Sequence, residues 1–344
     1  MIAEYIEKER VKMGTDYKIT RLRCLAIVTV VLGHSIILYD PQWGIYQTSY
    51  TVDSLMWTKQ IINAFQMPLF IFLSGFCFFY STERHDYNDI KSVATGVYGK
   101  AKRLLIPFCV VAVLWMVPIR WMCHYSAWYA LDYGEILKRV FIGLDSGHLW
   151  FLPTLFLIFV FAFVVFPHVN DRRIDGTILL FSFLVSLISH KFPALLFVNN
   201  VASSLYWFCL GFEANKYRDD LEKIDGIINY GMAFSSGFMV ILIVRGGANS
   251  LVHKGLQEIA VTFFILAIYN CVSSQECNNI CKTISDESMG IYLLHSPLVY
   301  FTYAYYGNGI PAVVVFINFV IDGLIAMILT YHLMNGRWKW VIGC

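Results

Sequence analysis

The chain has 344 residues, of which 58% are hydrophobic and only 15% charged, and its formal net charge is +2. With a mean hydropathy of +0.58 it lies outside the range of soluble domains and reads as a membrane protein. So small a charge gives no basis for nucleic-acid binding. The nine cysteines are scattered, most within apolar runs, and read as small hydrophobes. Cys277 and Cys281 lack a neighbouring histidine or second cysteine pair, so no metal site is expected there.

The predicted fold is all-α, a polytopic membrane bundle of about ten spans by the ~20-residue length rule. The apolar runs fall at 22–39, 61–80, 104–122, 149–167, 176–192, 194–212, 229–245, 256–273, 288–306 and 310–334. Residues 1–21 form a charged N-terminal segment without an apolar core or small-residue cleavage site. The first run is therefore expected to be an uncleaved anchor. Residues 22–334 read as one transmembrane domain and 335–344 as a short tail. The stretch 176–212 must turn sharply at His190-Lys191-Phe192-Pro193. Most of the 26 Lys and Arg fall in segments on the N-terminal side of the membrane, which predicts that both termini are cytoplasmic.

Arg23 stands at the mouth of the first run and His34 eleven residues further, deep inside it. Eleven residues at ~100° each make about three turns, so both side chains share one face, ~16 Å apart along the axis. This pattern suggests a track. A long anionic donor would anchor its phosphates at Arg23 and bring its reactive end to His34. A neutral imidazole is suited to removing a hydroxyl proton near neutral pH. Lys100-Ala101-Lys102-Arg103 lies at the same membrane surface as Arg23, either as a topology signal or as a second phosphate clamp.

Other polar groups inside apolar runs are candidates because burying them in lipid is costly. Asn63 and Gln66 precede Pro68 in the second run, and Ser74-Gly75 permits close helix contact. His148 and Trp150 open the fourth run and are candidates to face a substrate, although Trp150 also fits an aromatic belt. Asn199, Asn200, Ser203, Ser204, Tyr206 and Trp207 make the sixth run unusually polar, suggesting a wet cavity or interhelical hydrogen bonds. Glu258 and Asp322 are carboxylates within runs, either of which could orient an imidazole. His295 lies two residues before Pro297, where the helix ladder is weakened. No nucleotide-hydrolysis loop, zinc-protease motif or nucleophile elbow is found, so any group transfer needs an activated donor.

Together these motifs resemble the membrane acyltransferase-3 family. The resemblance rests on Arg23-x10-His34-Ser35, the Met67-to-Phe76 segment, Lys100–Arg103 leading to Pro107, His148-Leu149-Trp150-Phe151-Leu152 and Tyr292-Leu293-Leu294-His295, in that order. The Met-Pro-Leu-Phe and Trp-Phe-Leu-Pro wording is similar to the branch labelled fucose 4-O-acetylase-related. The resemblance implies O-acetyl transfer from cytoplasmic acetyl-CoA, without a metal, to a sugar of an envelope or exported polysaccharide. It implies a bacterial-type inner membrane setting, with lipid, acetyl-CoA and a glycan as partners. It makes His34 the essential histidine and general base, or an acyl carrier, and Arg23 the arginine of the first-helix motif. Arg23, Lys100 and Arg103 would hold coenzyme A, and His148, Trp150, Asn199, Asn200 and His295 would meet the acceptor. Lys100 departs from the arginine common at that place in relatives. A transporter or flippase of envelope precursors is the alternative, although no inverted repeat is seen.

Overall fold

A computed structural model describes residues 16–169, 171–247 and 250–343. Among them there is no strand. The first helix, α1, runs Tyr17–Ser35. Asp16 caps it by accepting from the Lys18 and Ile19 amides, which gives the helix its start. This moves the predicted boundary at residue 22 back by more than a turn. Lys18 pairs with Glu222 at 3.0 Å, and Arg21 donates to the Ser273 and Gln275 carbonyls, both at 2.6 Å. Charges that marked a polar segment in the sequence are thus helical residues tied to neighbouring loops. The remainder of the predicted N-terminal segment, 1–15, lies outside the described residues.

Helix α2 spans Asp53–Arg84. Helix α3, Ile90–Met122, contains a π-helical turn at Ala112–Met116. The short α4, Tyr133–Phe141, leads into α5, Gly147–His168, and then α6, Arg172–Leu187. Helix α7 is Val198–Lys216, α8 Arg218–Glu222, α9 Gly226–Gly246 and α10 Leu251–Cys271. Helix α11 is Asn279–Asp286, α12 Ser288–Tyr306 and α13 Pro311–Asn335, with a π-helical turn at Ile317–Ile321.

Seven of the described helices are long and apolar enough to cross a membrane: α2, α3, α5, α7 with the three residues before it, α9, α10 and α13. The other three predicted spans correspond to α1, α6 and α12. Helix α1 carries Lys18, Arg21 and Arg23, and α6 has only 16 residues. In α12 every residue from Gly290 to Pro297 is buried. A stretch shielded by protein on all sides needs no lipid-compatible surface, and this one carries histidine, serine and tyrosine, while Phe301, Tyr305 and Tyr306 further along α12 are exposed. The apolar windows of α9 and α13, by contrast, are each only 22% buried.

The predicted tail at 335–344 is not a free end where it is described. Its turn Lys339–Ile342 is followed by Gly343 at φ +77°, where a Cβ would stand 2.3 Å from the Arg103 carbonyl on α3.

Helices α2 and α7 cross with their backbones almost touching. A Cβ on Gly75 would lie 2.0 Å from the Phe208 carbonyl oxygen, and one on Gly211 would lie 1.9 Å from that of Phe72. Backbone cannot swing aside as a side chain can, so this crossing requires both glycines. Gly75→Ala or Gly211→Ala should each cost about 1–3 kcal/mol through overpacking. Gly99→Ala, where a Cβ would meet nothing within 4 Å, should be neutral. Thermal unfolding in detergent measures the difference, and equal stability of all three variants would refute the close crossing.

Candidate active site

Three histidines from distant parts of the chain meet at the bundle centre. His34 lies in the last turn of α1, His148 in the 3₁₀ turn that opens α5, and His295 in mid-α12. Ring centroids are 5.0 Å apart for His34–His295, 6.0 Å for His148–His295 and 6.3 Å for His34–His148.

Their positions follow from backbone chemistry in α12. Pro297 has no N–H, so the Leu293 carbonyl loses its partner one turn earlier. The His148 Nε2–H donates to that carbonyl at 3.1 Å. In return the Tyr292 hydroxyl donates to the His148 carbonyl. The Trp115 indole N–H, from the π-helical turn of α3, reaches the Leu294 carbonyl at 3.0 Å. The proline break is therefore the socket that seats His148.

The hydrogen bonds also settle the tautomers, because a carbonyl can only accept. His295 Nδ1–H donates to the Ile291 carbonyl at 2.7 Å. Neutral His295 then offers its Nε2 as an acceptor, and His34 Nδ1–H donates to it at 2.9 Å. The unshared pair of His34 is left on Nε2. At the end of α1, the Tyr303 hydroxyl donates to the His34 carbonyl at 2.5 Å, and Asn318 donates to that of Ser35 at 3.4 Å. These bonds satisfy orphan carbonyls of the helix terminus. His148 Nδ1 is buried without a partner and is a second vacant acceptor.

Two buried cations lie within electrostatic reach of the histidines, Lys59 of His34 and Arg120 of both His34 and His148. Lys59, on α2, is buried and donates to Asn63 Oδ1, which also accepts from Gln66 Nε2 at 2.9 Å. These residues share a face at i, i+4 and i+7. Gly33 lets that face approach, since a Cβ there would stand 2.9 Å from Gln66 Oε1. Arg120, on α3, is 2% exposed. It donates to the Tyr300 hydroxyl at 2.8 Å and pairs with Asp145 at 3.3 Å. Its guanidinium lies 4.4 Å from the centroid of Tyr125 and 5.0 Å from that of Tyr300. Asp145 also accepts from the Trp128 indole at 2.5 Å. Sequence reasoning missed both cations. Arg120 could have been found as a charge inside the apolar run 104–122, whereas Lys59 lies just before a run and gives no such signal.

A neutral base, held in one tautomer and enclosed by buried cations, is suited to taking a proton from a hydroxyl and stabilising developing negative charge. A family model described as an acyltransferase domain, acyltransferase-3, matches residues 16–333. The chain belongs to the acyltransferase-3 family. No curated protein and no solved structure matches it. It is thus a membrane acyltransferase.

The remaining predicted residues of this acyltransferase fall in two other places. Arg23 donates to Cys77 Sγ at 3.7 Å, at the end of the bundle where α1 begins. Lys100 lies 4.0 Å from the Phe159 ring centroid and within electrostatic reach of Arg103 and Cys77. Lys100 and Arg103 line a cleft of about 720 Å³ with Arg84 and Lys91. Asp86 and Asp89 also line it, but Asp89 is occupied in capping α3, accepting from Lys91 and Ser92 amides at 2.8 and 2.9 Å.

Trp150 and Glu258 lie on the other side of α2, lining a cavity with Ser203, Ser204 and Trp207. Asn199 and Asn200 begin α7 and are not among that cavity's lining residues. Neither carboxylate expected to support His34 bonds to it. Glu258 accepts from Ser186 Oγ at 2.7 Å, and Asp322 Oδ2 is buried without a partner. The partner of His34 is His295, whose Nε2 accepts from the His34 Nδ1–H. Among the described residues no group of three or more His, Cys, Asp or Glu is placed to hold a metal ion.

Proposed function

We propose that this acyltransferase moves an acetyl group from cytoplasmic acetyl-CoA to a sugar hydroxyl of an envelope or exported polysaccharide, in a bacterial-type inner membrane with both termini cytoplasmic. The observation that carries the chemistry is the free Nε2 of His34, fixed by the His34–His295–Ile291 chain of hydrogen bonds. The choice of donor draws on Arg23, Lys100 and Arg103 at one end of α1 and α3. The choice of acceptor draws on the likeness to the fucose 4-O-acetylase-related branch.

In the reaction, His34 Nε2 takes the proton of the sugar hydroxyl as its oxygen attacks the thioester carbonyl carbon. The C–O bond forms, the tetrahedral intermediate collapses and the C–S bond breaks. The imidazolium returns its proton to the leaving thiolate, and the products are the O-acetyl ester and coenzyme A. Arg23, Lys100 and Arg103 bind the donor's phosphates and set the reach of its arm. His295 keeps the Nδ1 proton of His34 engaged, so only Nε2 acts as base. Holding both substrates beside that nitrogen supplies much of the acceleration.

Labelled acetyl-CoA supplied to membranes containing the protein should label envelope glycan. Arg103→Ala should raise KM for acetyl-CoA about tenfold, the loss of one charge-assisted phosphate contact, with kcat little changed. Glycan labelled equally in membranes without the protein would overturn the reading, and a transporter would then lead.

A further inference from the structure

The cavity across α2 from the histidines has a chemistry of its own. It measures about 650 Å³, within the roughly 300–1,000 Å³ of small-ligand pockets. Helix α2 separates it from the catalytic centre. Ile62 and Gln66 on one face of α2 meet Gly33 of α1, while Ala64, Met67, Pro68 and Ile71 on another line the cavity. The remaining walls come from α5, α6, α7 and α10 and the 3₁₀ turn after α6.

Glu258 is the informative lining residue. It is 7% exposed, and its Oε1 accepts from Ser186. Its Oε2 is buried with no hydrogen-bond partner. Lys254, one turn away, does not satisfy it. The lysine ammonium donates to the Ser186 carbonyl and to Ser189 Oγ at 2.8 Å, and lies 3.8 Å from Glu258 Oε1. A carboxylate oxygen in this state calls for a donor from a ligand. Trp150 and Trp207 add two indoles to the same lining.

We infer that this cavity is a second, non-catalytic subsite that holds a sugar unit of the acceptor glycan, an inference that rests on the acceptor being a glycan. A turn of the Glu258 carboxyl brings the unpartnered Oε2 to the cavity, where a sugar hydroxyl donates to it, and the apolar C–H face of the ring packs on an indole. A lipid tail supplies no donor and would leave Oε2 unpaired. A phosphate would face the Glu258 carboxylate, and the Lys254 ammonium beside it is already engaged, which disfavours the coenzyme here. The subsite grips the glycan away from the reacting hydroxyl, so that binding energy from a remote part of the substrate positions the reacting part.

The test is equilibrium binding of oligosaccharides, released from the producing cell's envelope polysaccharide and labelled at the reducing end, to the full chain in detergent. Wild type and His34→Ala should bind alike, within twofold. Glu258→Gln and Trp150→Ala should each weaken binding at least tenfold while KM for acetyl-CoA stays within error. Thermal unfolding of Glu258→Gln should be unchanged, whereas Trp150→Ala loses some stability because Trp150 packs on the core. Binding unchanged in both variants overturns the subsite and leaves acetyl transfer to glycan standing. No binding by wild type, with acetyl transfer to that glycan still measurable, overturns it equally. Loss of both binding and transfer in wild type removes the glycan reading and the subsite with it.

Discussion

His34→Ala should lower acyl transfer by about 10²–10⁴-fold, the usual contribution of a positioned general base. KM for acetyl-CoA should hardly move, because the cations proposed to bind its phosphates lie toward the other end of α1. His295→Ala should also cost roughly 10²-fold if His295 positions His34 through their hydrogen bond. Without the Nε2 acceptor at 2.9 Å, the His34 ring is free to turn and to place its proton on either nitrogen. His295→Gln distinguishes orientation from bulk. A glutamine carbonyl can still accept from His34 Nδ1–H, so this variant should recover part of the loss. Steady-state transfer of labelled acetyl with matched protein levels measures all three. A His34→Ala protein retaining more than a tenth of wild-type kcat would remove His34 as the base.

The second large effect is on stability. Arg120→Leu should destabilise the protein by about 3–5 kcal/mol, the cost of leaving one member of a buried ion pair alone. It leaves the Asp145 charge with only the Trp128 indole and removes the donor to the Tyr300 hydroxyl. It also empties the space between the Tyr125 and Trp128 rings, whose centroids lie 4.4 and 5.4 Å from it. Arg120→Leu combined with Asp145→Leu should be less harmful than the sum of the single changes, since no charge is then left unpaired. Gly147→Ala should act in the same direction. Its φ is +53°, and a Cβ would stand 2.0 Å from Arg120 Nη2. Chemical unfolding in detergent gives the magnitudes. A shift below about 1 kcal/mol for Arg120→Leu would mean the pair is solvated in the folded protein. Activity should fall with stability, because Arg120 links the end of α3 to the turn carrying His148 and to α12.

Much of the architecture was legible because lipid imposes a simple rule. Apolar runs of sufficient length became helices, and the junction near His190-Lys191-Phe192-Pro193 became a 3₁₀ turn and a chain reversal. The number of spans was less legible. The first half of α12 is wrapped by protein, and α1 carries cations near its start, so neither needs the composition of a lipid-facing helix throughout. In the site, His34 stood out because an imidazole in an apolar run is costly unless it has a use. His295 was legible as a polar group beside a proline, but nothing along the chain shows that it, and not Glu258 or Asp322, bonds to His34.

The sequence by itself determined that the chain is a membrane helical bundle, that Arg23 and His34 share one stripe of a helix, and which family motifs it carries. Each of these depends on neighbours along the chain, where helical period and apolar length are sufficient. Only the tertiary structure decided that His34, His148 and His295 converge, that the break at Pro297 seats His148, and that Arg120 is caged beside them. It alone placed Glu258 in a separate cavity across α2. Periodicity tells which face a residue occupies, but which faces meet is settled by packing between helices far apart in sequence, through contacts such as the two glycines that bring α2 onto α7.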